Sequence, residues 1–162
     1  MGTLRDDIKT QSDWIVKAFS ADGYKLDYTL RSLMEIDRFM LANAKDGQPV
    51  RGGRLTMNLG PILFSAGAYV GETFLKLVPG ATWLLDEQDP QGEFSASVVF
   101  PDESQVWPMI KMMKRYQNGL EDAVYPYAHH VVANYLEESF DDSFWTLESR
   151  VGQKKKPWWR FW

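Results

Sequence analysis

The feature that most narrows the folds open to this chain is one long apolar stripe near its middle. Leu55, Leu59, Ile62, Leu63, Ala66, Val70, Thr73, Phe74 and Leu77 recur at helical spacing, the pattern of a helix with a broad face turned to a core. Pro61 interrupts it, so the helix either starts near Gly60 with Pro61 at its first position or is kinked there. Gly67 and Gly71 lie four apart on one face. Each costs about 1 kcal/mol of helix propensity relative to Ala, which predicts a packing reason: a neighbouring element approaches the backbone closely. Pro79-Gly80 stops the helix.

Such a helix needs partners to cover it, and the flanking sequence supplies them. Leu4, Ile8, Ile15 and Phe19 predict a first helix within Leu4 to Phe19, with Ser12 or Asp13 as its cap if it starts late. After the turn Ser20-Ala21-Asp22-Gly23, Asp27 reads as the N-cap of a second helix carrying Leu30, Leu33, Met34, Met40 and Leu41. A Gly- and Pro-rich loop from Asp46 to Gly53 ends it. Beyond the central helix a hairpin is expected, with Trp83 and Leu85 on one strand and Phe94, Ala96, Val98 and Phe100 alternating along the next. Asp89-Pro90-Gln91-Gly92 turns between them, and Gln105-Val106-Trp107 adds a short third strand.

Pro108 suits the first position of a fourth helix, with Met109, Met112, Met113 and Tyr116, closed by Asn118-Gly119. A fifth begins with Glu121 and Asp122, where the helix dipole favours anions, and carries Val124, Tyr127, Ala128, Val131 and Tyr135. The polar stretch from Phe140 to Val151 should dock by Phe144, Trp145 and Leu147. The expected fold is α+β, about five helices packed with a small antiparallel β-hairpin sheet. At 162 residues the chain suits one domain, residues 1–151, followed by a basic and aromatic C-terminal tail, 152–162.

Composition closes several other routes. The absence of cysteine excludes a disulfide scaffold and a thiolate metal site. The opening MGTLRDDIKT is too polar for a signal peptide, and no apolar run of about 18 residues is present to span a bilayer. A cytoplasmic protein is expected.

Two short motifs resemble segments of small bacterial protein families. Leu26-Asp27-Tyr28-Thr29-Leu30-Arg31-Ser32-Leu33, followed by Asp37, is similar to an "LDxSxxSLxxLD" opening. Gly67-Ala68-Tyr69-Val70-Gly71-Glu72, with Trp83 eleven residues later, resembles their "GxYxGE…W" segment. Pro108, Lys114, Asn118-Gly119 and Asp122 resemble the "P…K…NGxED" region that follows. Some members of these families are immunity partners of secreted bacterial toxins. The resemblance implies an order of elements and an inhibitory role; it carries no catalytic residue.

Few residues suggest chemistry. His129 and His130 are the only histidines and point about 100° apart on a helix, an awkward pair for one metal. Asp122, Tyr125 and His129 can form a strip along one helical face. Glu72, beside Gly71 on an apolar helix, is a candidate buried acid, although a surface pair with Lys76 is the plainer reading. The methionines of the fourth helix suit either a core or an adaptable binding face. No phosphate loop, nucleophile elbow or dinucleotide fingerprint occurs.

Charge is the stronger signal. Residues 1–85 hold 10 basic and 9 acidic groups, residues 86–149 hold 3 and 13, and residues 150–162 hold 5 and none, summing to −4. Glu121, Asp122, Glu137, Glu138, Asp141 and Asp142 gather about the fifth helix, and Asp86, Glu87, Asp89 and Glu93 about the hairpin turn. Such a block steers a cationic partner and disfavours nucleic acid. The tail, Lys154-Lys155-Lys156-Pro157-Trp158-Trp159-Arg160-Phe161-Trp162, has the composition of an interfacial membrane segment. It can equally fold back on the acidic block, in its own subunit or in a second copy, and that reading is preferred.

The function these features favour is a non-enzymatic protein-binding protein, an immunity-type inhibitor occluding a basic toxin such as a nuclease. The six carboxylates around the fifth helix would form its binding face, with Trp107 and Tyr127 as candidate anchors and no cofactor or metal. The alternative is a small hydrolase or ligand-binding enzyme that brings Glu72 and His129 or His130 into one cleft. A peripheral membrane adaptor acting through the tail is the third.

Overall fold

The computed structural model describes residues 3–90 and 92–148. Among them run α1 (Leu4–Ala21), α2 (Leu33–Asn43), β1 (Ala44–Lys45), β2 (Gln48–Pro49), α3 (Leu55–Leu77), β3 (Thr82–Leu84), α4 (Gly92–Ser95), β4 (Ser97–Val99), β5 (Gln105–Val106), α5 (Pro108–Asn118) and α6 (Val124–Val132). Two 3₁₀ turns, Gly119–Asp122 and Asp142–Thr146, bracket α6. The fold is α+β, helices with two small antiparallel sheets of two and three strands. The tail, and the boundary placed at Val151, lie outside the described residues.

The apolar stripe becomes α3, whose middle is buried on nearly every side. The helix bends at Asn58 (φ −129°, ψ 36°), three residues before Pro61. Pro61 has no N–H for the carbonyl one turn back, and its ring crowds that turn. The two glycines have the predicted packing reason. A Cβ on Gly67 would stand 2.7 Å from the Met109 Cα, and one on Gly71 would stand 2.1 Å from the Trp83 ring. Hence α5 and the β3 indole both lie against the α3 backbone.

The three-stranded sheet pairs Trp83 with Val98 and Val98 with Val106. It packs on α3 through Phe100, whose ring meets Phe74 edge-on at 5.5 Å. At the other sheet, Asp46 and Gly47 both take positive φ (53° and 71°), the geometry of a tight two-residue hairpin. Val98, Phe74, Tyr69, Ile36, Phe39 and Val124 all belong to one core.

Several local expectations are corrected. Thr3, in a reciprocal capping box with Asp6, starts α1, so neither Ser12 nor Asp13 is needed as a cap. Asp27 does not cap α2; it holds a turn by accepting the Thr29 hydroxyl (2.6 Å), and α2 begins only at Leu33. Phe94 sits in the short helix α4, not on a strand, which makes six α-helices among the described residues. Glu121 and Asp122 precede α6 in a 3₁₀ turn rather than beginning it. Phe144 and Leu147 dock, but Trp145 stays exposed.

Candidate protein-binding surface

Several polar side chains of the helices and their connections meet inside the molecule. Tyr28 adopts a left-handed backbone conformation (φ 62°) that turns its N–H to the Tyr69 hydroxyl at 2.8 Å. Ser32 hydrogen-bonds the same hydroxyl, and burial pushes Tyr69 up to about 12. Asp37 is fully buried and accepts from Arg115 Nε (2.8 Å) and the amides of Val124 (2.9 Å) and Tyr125 (2.8 Å). Ala123, at the N-cap of α6, has no side-chain oxygen, so Asp37 caps that helix from α2. Burial pushes the Asp37 carboxyl up, while the Arg115 guanidinium and the two amides pull it down. These polar groups connect elements of the fold to one another.

Glu72 is 9% exposed and is clamped by the Arg5 guanidinium at 2.8 and 3.3 Å. Lys76 does not pair with it; its ammonium lies over the Tyr28 ring. His129 Nε2 engages the Glu138 carbonyl at 2.8 Å, while His130 is exposed. The Asp122-Tyr125-His129 strip is divided, since Asp122 turns to Lys111 (3.3 Å) and Asn118 (2.7 Å). A cleft of about 400 Å³ lies beside α2, but neither Glu72 nor a histidine lines it, and its Arg31 and Arg38 are paired with Asp141 and Glu35. Met109 and Met112 are core residues. No group of three or more metal-ligating side chains is found among the described residues.

The acidic block divides in the same way. Asp122 and Asp141 are internally bonded, and both carboxyls are held below the ordinary range. Asn118 does this for Asp122; the Ser143 hydroxyl and amide do it for Asp141, with Arg31 adding its charge. Glu121, Glu137, Glu138 and Asp142 are exposed, and among the described residues they form no ion pair. After α6 the chain doubles back along that helix. The His129 contact with Glu138 and the bond from the Asp141 amide to the Tyr125 hydroxyl (2.8 Å) fix its path.

That return path ends in the 3₁₀ turn Asp142–Thr146, where side chains three apart eclipse. Phe144 and Leu147 form its buried edge. Asp142 and Trp145 fall on the opposite edge and Glu148 follows just beyond the turn, all three exposed, with the Trp145 indole 67% exposed. Phe140 and Phe144 support the indole at ring distances of 5.5 and 5.2 Å. Trp145 was expected in the core and Glu148 was not singled out. The three-residue spacing of Asp142, Trp145 and Glu148 was the available signal, since residues three apart share a face of either helix type. Of the expected anchors, Trp107 is 42% exposed, whereas Tyr127 is half-buried beneath the Lys111 ammonium and pushed by burial to about 12.

No family model, curated protein or solved structure matches the chain.

Proposed function

We propose that this is a non-enzymatic protein-binding protein, an immunity-type inhibitor that occludes a basic bacterial toxin, such as a nuclease, in the cytoplasm. The observation that carries this reading is the edge Asp142-Trp145-Glu148, an exposed indole on an aromatic base with a carboxylate to either side in sequence. Binding energy at protein interfaces concentrates in Trp, Tyr and Arg anchors ringed by polar groups, and charged rims chiefly speed association. Glu137 and Glu138 extend the negative rim, and Glu121 lies just before the first turn of α6. Asp122 and Asp141 belong to the scaffold of this face and only partly to its surface. The motif resemblance supports the immunity role, and the negative edge argues against nucleic acid as the ligand.

The flanking genes are searched for a secreted effector and the chain is co-expressed with it, scored as colony survival; the absence of any such gene would count against the reading. The wild type is expected to protect. A chain carrying Trp145→Ala with Asp142→Asn and Glu148→Gln is expected to fail while unfolding at the wild-type temperature. Equal protection by both chains would reject the face.

A further inference from the structure

We propose that the outer groove between α1 and the first half of α3 is a self-association surface, on which a second copy of this chain seats antiparallel about a two-fold axis. None of its residues lies on the Asp142-Trp145-Glu148 edge, so the inference does not rest on the function proposed above. The two helices run antiparallel: Ser65 donates to Gln11 at 2.9 Å, and further along Arg54 pairs with Asp22. One stripe of α1 borders two successive cavities. Asp7 and Gln11 line the first, about 470 Å³, with Gly60, Pro61 and Phe64 opposite. Trp14 and Ala18 line the second, about 250 Å³, with Asn58 and Ile62 opposite. From Asp7 to Ala18 the seam is about 17 Å long. Along its second half α3 is covered from within the chain, by Trp83 on Gly71 and by Ile8 and Ala96 around Ala68. That cover stops at Phe94, itself exposed at the rim of the first cavity. The first half of α3 is bare: Met57, one turn before Gly60 and Pro61, is 88% exposed, and Trp14 across the seam is exposed too.

Glycine supplies the argument for a close neighbour. A glycine inside a helix costs about 1 kcal/mol relative to Ala, and at Gly67 and Gly71 the close approach of α5 and of the Trp83 ring accounts for it. A Cβ on Gly60 would meet nothing within 4 Å in its own chain. Gly60 does ease the helix through Pro61, but that leaves the exposed rings and thioether around it unexplained. Trp, Phe and Met are enriched where two proteins meet, and an outside element comes nearest where the Cβ is missing. Charge then selects the second copy. Asp7 and Glu93, both exposed, stand at one end of the groove. Arg54 stands at the other, and Arg51 lines the adjoining surface with it. Asp7, Glu93 and Arg51 form no ion pair among the described residues, while Arg54 shares its charge with Asp22. A two-fold axis through the middle sets each negative end against the other copy's positive end, and the contact is made twice. A basic partner of another kind would meet Arg51 and Arg54 as like charges. A seam of this length falls short of the roughly 800 Å² per partner of a standard interface, so the dimer is weak and reversible.

Sedimentation equilibrium of the full chain over a series of concentrations tests the contact. Wild type is expected to show a reversible monomer–dimer equilibrium with a dissociation constant below about 1 mM. A chain combining Met57→Glu with Gly60→Gln, both at positions open to solvent, is expected to unfold at the wild-type temperature and to dimerise about tenfold more weakly or worse. Exchanging charges tests the orientation. Asp7→Lys with Glu93→Lys gives a chain with two positive ends, and Arg51→Glu with Arg54→Gln gives one with two negative ends. Each alone is expected to associate more weakly than wild type, and a mixture of the two to form the mixed dimer in preference. A wild type that stays monomeric up to about 1 mM, or a dimer that the Met57 and Gly60 changes leave intact, overturns the proposal; the latter would move the contact elsewhere, as to the exposed Trp107 and Ile110 of α5. An open-ended series of oligomers overturns it as well, since it would mean a head-to-tail contact. A mixture that associates no more tightly than its two components overturns the antiparallel seat.

Discussion

Asp37 and Asp142 are the same side chain in opposite surroundings, and the contrast separates what builds this molecule from what it presents. Asp37 accepts three hydrogen bonds in a fully buried position, joining α2 to α5 and to the first turn of α6. Asp142 stands on an exposed edge near a mostly exposed indole. Asp37, Tyr28, Ser32, Tyr69 and Gly71 all make their contacts within the chain. The edge carries exposed apolar area and carboxylates that form no ion pair among the described residues.

The sharpest way to break that contrast is to remove the buried carboxylate. Asp37→Ala leaves Arg115 charged and buried with no counter-ion, and frees two amides of α6. Loss of one partner from a buried pair costs about 3–5 kcal/mol, to be read from urea unfolding. Replacing both partners, Asp37→Leu with Arg115→Met, is expected to cost less than the single change, because no unpaired charge remains and only the helix cap is missing. A single variant within about 1 kcal/mol of wild type would mean that Asp37 is no more structural than a surface residue.

Next come the close contacts on α3. Gly71→Ala drives a methyl into the Trp83 ring, and overpacking of this kind costs about 1–3 kcal/mol. Gly60→Ala is the control: a Cβ there meets nothing within 4 Å, so the change is expected to be neutral or to stabilise by up to about 1 kcal/mol through helix propensity. Tyr69→Phe removes the acceptor of the Tyr28 amide and is expected to cost about 1–3 kcal/mol, the penalty of a buried donor left unsatisfied. Thermal unfolding of the three variants gives the order.

How far the sequence foretold this depended on the period each element obeys. Helix α3 was legible because its apolar residues follow 3.6 over many turns, and the Gly67 and Gly71 contacts followed from the cost of glycine in a helix. The Phe94 segment misled because alternation over a few residues also fits one turn of helix, and α4 is no longer than that. Asp37 was invisible as a cap because its clients are 87 and 88 residues away, and capping rules look only along the chain. Trp145 was read as core because hydrophobicity alone cannot tell which edge of a 3₁₀ turn faces outward. The acidic block was correctly counted, but counting could not show that Lys111 and Arg31 engage two of its members.

Those two members give the acid dependence. Asp122 and Asp141 are held below the ordinary carboxylate range in the folded chain, so folding favours their ionised forms. Their contribution is complete above the unfolded value and is lost as pH falls through that value toward the depressed folded ones. Both groups face solvent in part, so the effect is small. Melting temperature against pH is expected to fall more gently on the acid side for Asp141→Asn than for wild type. An unchanged acid limb would place Asp141 with the free carboxylates of the face.

A small stability effect is expected at the residue argued to matter most for binding. Trp145→Ala removes two ring contacts, to Phe140 and Phe144, each worth about 0.5–1.5 kcal/mol when packed and less here, because the indole already lies mostly in water and leaves no cavity. Truncation of an interface anchor costs about 2 kcal/mol or more, roughly a thirtyfold loss of affinity. A variant that folds like wild type but no longer protects against the effector separates the two regions cleanly. A variant that loses several kcal/mol in urea would show that the indole holds the return path onto α6. The exposed edge would then be one more piece of scaffold, and the carboxylates beside it would have no anchor around which to act.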